Sequence, residues 1–161
     1  MKAKTVILLG LVVILCIFLA SNVYAIERYT WGMKRAEAIR VLQETLARHG
    51  MSAKEKGTQD GMVILDTIQS GKAIGSSVFH FDSAGGLVGV GSLIYMNTEE
   101  EALFVYKHTN KEIQTKTQTK IKGISARKTI YMDNTEQIVV FITQEQQGAF
   151  AVGIATSKLK R

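Results

Sequence analysis

His49, His80 and His108 are the side chains of this sequence best suited to acid–base or metal chemistry. His80 and Asp82 lie two apart, which puts both on one side of an extended strand, where they could offer two ligands to a metal ion. A usable site needs three or four ligands, and the sequence places no others beside them. The pair reads as solvent-facing polar residues, and no metal is expected. His49 and His108 fall near or within helices, where they cap or pack. Gly71-Lys72 is not a phosphate-binding loop, because Asp66 stands where the first glycine is needed and Ala73 where Ser or Thr is needed. The glycines from Gly85 to Gly91 do not read G-x-G-x-x-G, and no G-x-S-x-G occurs. We expect no catalytic residue and no cofactor.

Seven cations lie close together: Lys107, Lys111, Lys116, Lys120, Lys122, Arg127 and Lys128, opposed only by Glu112. Such a run is usually a solvated helix end and loop. Its functional alternative is weak association with an anionic envelope surface, polysaccharide or an acidic protein.

These residues must be positioned by the elements around them, and the first 25 are a separate object. Lys2 and Lys4 precede an apolar run from Val6 to Ala20, and Val23-Tyr24-Ala25 supplies a small-x-small pattern. This is the pattern of a secretory signal peptide cleaved after Ala25. An uncleaved anchor is the rival, but the run falls short of the roughly 20 residues a spanning helix needs. Lipidation at Cys16 is disfavoured by Leu15, since that signal wants a small residue just before the cysteine. Cleavage leaves residues 26–161 as a single domain with no cysteine and 18 Lys/Arg against 14 Asp/Glu. That is mildly basic, and an exported protein in the periplasm or outside the cell meets no nucleic acid.

Ile39, Leu42, Leu46 and His49 follow helical spacing, with Gly50 as the stop. Ser52 to Gly61 is polar and reads as a loop. Met62–Ile68, Ser76–Asp82 and Leu87–Met96 read as strands. Thr98 and Glu101 form a capping box that opens a second helix. Ile124–Met132, Glu136–Gln144 and Ala149–Ser157 read as three more strands. At an offset of 62, positions 61–93 share eight identities with 123–155, among them Val78/Val140, Phe79/Phe141 and Gly91/Gly153. Composition alone gives about two. The expectation is an α+β fold of two tandem αβββ repeats, about 31–96 and 97–157. They join as one antiparallel six-stranded sheet with both helices on one face.

Two strands carry one stripped face: Gly89 and Gly91 in one, Ala151, Gly153 and Ala155 in the other. Missing side chains let a helix approach closely, so we expect the helices there. The other face, with Val88, Val90, Ile94, Phe150, Val152 and Ile154, is then either an open apolar surface for a partner or covered by a loop or a curl of the sheet. Asp66 and Lys128, equivalent in the repeat, are either brought together or solvated at strand ends.

Tyr29-Thr30-Trp31-Gly32-Met33 before an amphipathic helix resembles the start of small exported bacterial proteins. The helix-then-meander duplication is similar to beta-lactamase inhibitory protein and to the SmpA/BamE-type envelope proteins. Gly32-Met33 and Leu42 match the opening helix of those families. Their leucine-glycine-x-proline ending is absent, because the helix ends Arg48-His49-Gly50 and the chain has no proline. The resemblance implies a non-enzymatic envelope protein that binds another protein, or a second copy of itself, through its sheet. The competing class is a small enzyme or small-molecule binder with a pocket between helices and sheet, where His80 or Tyr106 would converge. The intact mass of the exported protein should correspond to residues 26–161, and a mass retaining residues 1–25 would identify the segment as an anchor.

Overall fold

In the computed structural model, residues 28–116, 119–144 and 149–159 are described. The expected signal peptide lies outside them. Helix α1 (Arg35–Ala47) buries Ala38, Leu42, Thr45 and Leu46 on one stripe. Gly50 beyond its end has φ 69°, and Met51 N–H closes back on Leu46 O at 3.0 Å. Strands β1 (Ser52–Gln59), β2 (Met62–Gln69), β3 (Lys72–Phe81) and β4 (Leu87–Met96) follow as a meander. Asp60-Gly61 and Ser70-Gly71 turn its first two corners with positive φ at both residues. That is the hairpin geometry that matches strand twist.

Helix α2 (Glu99–Lys116) opens on the expected cap: Glu101 N–H donates to Thr98 Oγ1 at 3.2 Å. The Glu101 carboxylate accepts from Asn97 N–H at 3.1 Å rather than from Thr98. Strands β5 (Lys120–Ser125), β6 (Lys128–Met132), β7 (Glu136–Gln144) and β8 (Phe150–Lys158) complete the chain.

The class is α+β, but the sheet has eight strands and not six, in the order β1-β2-β3-β4-β8-β7-β6-β5, antiparallel throughout. Each helix therefore precedes four strands rather than three. Both added strands are edges. β1, an edge exposed on both sides, carries no apolar alternation, so its residues, Ser-Ala-Lys-Glu-Lys-Gly-Thr-Gln, have the pattern of a loop. At the other edge, the expected strand Ile124–Met132 is cut by a turn at Ala126-Arg127 into β5 and β6.

The helices lie on one face, but on the face opposite to the expected one. Cross-strand rows fix this: Val63, Phe79, Val90, Thr156, Ile138 and Tyr131 are paired in succession from β2 to β6. Every one of them is buried. The next row, Leu65, Ser77, Ser92, Ile154, Val140 and Thr129, packs on the same side. From α2, Tyr106 Oη meets Thr129 Oγ1 at 2.7 Å, and Asn110 Oδ1 accepts from Tyr131 Oη at 2.6 Å. From α1, Arg35 pairs with Glu55 of β1 at 2.6 Å.

Val90, Ile94, Val152 and Ile154, expected on the open surface, are thus core residues beneath the helices. Phe150 is half-buried and packs against that core. Val88 is the extra residue of a bulge, since His80 pairs Gly89 while Phe81 pairs Leu87. The bulge turns Leu87 into the core, where it is fully buried.

The offset of 62 keeps its side of the sheet in β4 and β8, where Val90 and Val152 face the core and Gly91 and Gly153 face outward, but not in β3 and β7. Phe79 pairs with Val63 and Val90 in the core, whereas Phe141 pairs with Lys128 and Gly153 on the outer face. Asp66 and Lys128 are also far apart. They sit on β2 and β6, five strand spacings or about 24 Å across the sheet. Val90→Asp should cost more than about 3 kcal/mol, by leaving a charge among buried apolar groups. Leu93→Asp, on the outer face, should cost less than about 1 kcal/mol. Urea unfolding of the two variants checks the face assignment.

Candidate functional site

The outer face is built by the residues that alternate with the core. Met62, Ile64 and Ile68 come from β2, Val78 from β3, Leu93 from β4, Ala155 from β8, Val139 and Phe141 from β7, and Ile130 from β6. All are partly exposed, and no element of the described chain covers them.

At the centre the side chains are stripped away. Gly89 and Gly91 of β4 stand beside Ser157 and Ala155 of β8, leaving a trough of about 300 Å³ walled by Met62, Val78, Leu93 and Phe141. The Phe141 ring lies over Gly153, so closely that a β-carbon at Gly153 would stand 2.6 Å from Cε1. Small residues here make a depression on the free surface rather than a bed for a helix. The sequence signal for the site was this glycine–alanine pattern. Its side could not be assigned because both faces of β4 and β8 are apolar.

Polar groups lie beside Leu93 at the edge of this surface. Ser76 Oγ donates to Asp66 Oδ1 at 2.8 Å and meets Tyr95 Oη at 2.7 Å. Lys56 Nζ approaches Asp66 at 3.8 Å. His80 is exposed and also borders a larger groove of about 1000 Å³ at the end of the sheet, walled by Trp31, Phe81, Val88 and Leu159. Asp82, the neighbour considered with it as a metal ligand, spends Oδ1 on Ala84 N–H at 3.0 Å and Gly86 N–H at 2.8 Å. No cluster of three or more His, Cys, Asp and Glu forms among the described residues.

His80 and Tyr106 lie on opposite faces of the sheet and do not converge. His49 is exposed at the end of α1, and His108 stacks on Phe104 with centroids 6.5 Å apart. Burial pushes the Tyr29 and Tyr131 phenols up, which keeps both protonated on the helix side. Near the end groove, backbone N–H groups of Thr135 and Glu136 and the Thr135 hydroxyl hold Asp133 below the usual carboxylate range. Burial, aided by the Asp133 charge, raises Glu136. These groups tie down the β6–β7 turn and do not form a reacting pair.

Of the basic stretch, Lys107, Lys111, Lys120, Lys122, Arg127 and Lys128 are exposed, and Arg127 pairs with Glu99. The Lys116 side chain lies outside the described residues. None of the described helices is long and apolar enough to cross a membrane. No protein-family profile, curated protein or solved structure matches the chain.

Gly153→Ala should displace Phe141 and cost about 1–3 kcal/mol by overpacking. Gly91→Ala meets only ordinary contacts, 3.5 Å to Ala155 Cβ, and should be neutral or stabilising by up to about 1 kcal/mol. Thermal denaturation of both variants measures the difference.

Proposed function

We propose that this chain is an exported, non-enzymatic binding module whose open sheet face engages a protein partner. The observation that carries the reading is the apolar outer face with its stripped centre. A sheet covered by helices on one side normally turns polar residues to water on the other. Here Ile64, Val78, Leu93, Val139 and Phe141 face water instead. A contiguous apolar surface of this kind is the usual mark of an interaction site. The leader-like residues 1–25 support action outside the cytoplasmic membrane. The resemblance at Trp31-Gly32-Met33 supports partner binding through the sheet.

A second reading is favoured by the groove at the sheet end. Trp31, Phe81, Val88 and Leu159 line it together with His80, Asp82, Ser83, Thr135, Ser157 and Lys158, which suits a small molecule with both apolar and polar parts. This reading is of a small-molecule binder.

The test places a photo-crosslinking residue at Leu93 on the open face, and separately at Phe104 on the outward side of α2, in the chain produced in its own cells. A discrete adduct should form from position 93 only and should disappear on adding Phe141→Asp. An adduct of twice the chain's own mass would identify the partner as a second copy. No adduct at 93, or the same adducts from both positions, would end this reading.

A further inference from the structure

The two edges of the sheet are not alike. On β1 two of the three charges are matched, since Arg35 pairs with Glu55 and Lys56 approaches Asp66. No large apolar side chain is exposed along it. β5 is hydrogen-bonded to β6 on one side only, and every residue of it except Gly123 is exposed. Its bulge makes Lys122 the extra residue, so Ile121 and Ile124 come to the same side, opposite Tyr131 and Thr129. Ile124 is 75% exposed and Ile121 45%. Ile124 forms one wall of a groove of about 270 Å³ against α2, where Lys107 and Lys111 stand opposite it.

Lysines on an edge strand are commonly a guard against unwanted pairing. That explanation covers Lys120 and Lys122. It does not cover two isoleucines turned to water beside them, nor Lys107 and Lys111, which belong to the helix. An edge with free backbone groups, an apolar side and unmatched cations is suited to receive a strand that brings the opposite charge. Pairing with the β5 of a second copy would set four lysines side by side, and like charges across strands repel.

We infer that β5 is a strand-addition site for an extended acidic peptide segment of a partner. The added strand pairs with the β5 backbone. Its apolar side chains lie against Ile121 and Ile124 on the helix side, its carboxylates meet Lys120 and Lys122 along the edge, and Lys107 and Lys111 add positive potential on the helix side. This surface is separate from the open face, and the two could be occupied at once.

The probe is a ten-residue peptide alternating valine and glutamate, titrated into the protein with amide NMR shifts and hydrogen exchange as readouts. The amides of residues 120–125 should shift and exchange at least tenfold more slowly. Binding should weaken at least tenfold when alternate peptide nitrogens are methylated, and should fall as salt is raised. A valine–lysine peptide should not bind. The double variant Lys120→Glu/Lys122→Glu should reverse that preference. Binding confined to the open face, equal binding of the acidic and basic peptides, or no binding at millimolar concentration would overturn the proposal.

Discussion

Eight consecutive residue pairs, from Gly89 with Ser157 to Met96 with Phe150, tie β4 to β8 at the centre of the sheet. This pairing joins the two helix-plus-four-strand halves, and its register sorts the central side chains between two surfaces. Val90, Ile94, Val152 and Ile154 go beneath the helices. Gly89, Gly91, Leu93, Gly153 and Ala155 go outward. A slip of one residue would exchange the two sets. The bulky set fills a core that also takes Phe79, Tyr131 and the inner stripes of both helices. The small set leaves a shallow apolar trough with nothing from the described chain above it.

The core is not uniformly apolar, and its polar members are placed by the same register. Thr129 accepts or donates to Tyr106 within the helix–sheet interface, and Tyr131 reaches Asn110. These contacts orient α2 over β6 to β8. On the outer face, the Asp66–Ser76–Tyr95 chain lies beside Leu93, which is cross-strand from Ser76, so a polar group stands next to the apolar surface.

Much of the architecture was legible. Leu87–Met96 and Glu136–Gln144 are strands with the expected bounds, and Thr98 with Glu101 marks the start of α2. Local pattern is strong there, because turn residues and caps act within a few positions. Two things were not legible. The edge strands have no buried side to imprint a period, so Ser52–Gln59 looked like a loop and β5 merged with β6. The choice of helix-covered face depends on what packs there, and two apolar faces give alternation no polar reference. The identities at offset 62 keep their side at Val90/Val152 and Gly91/Gly153 but not everywhere. Val78/Val140 and Phe79/Phe141 coincide in sequence but stand on opposite sides of the sheet.

The most direct measurement uses two adjacent residues of β4. The sequence has no cysteine after Cys16, so one thiol can be introduced at a time into residues 26–161. In the folded protein the thiol of Leu93→Cys should react with a small alkylating reagent at nearly the rate of a free thiol. That of Ile94→Cys should react only as the protein unfolds. Protection at position 93 with ready reaction at 94 would put the helices on the stripped face and contradict the account.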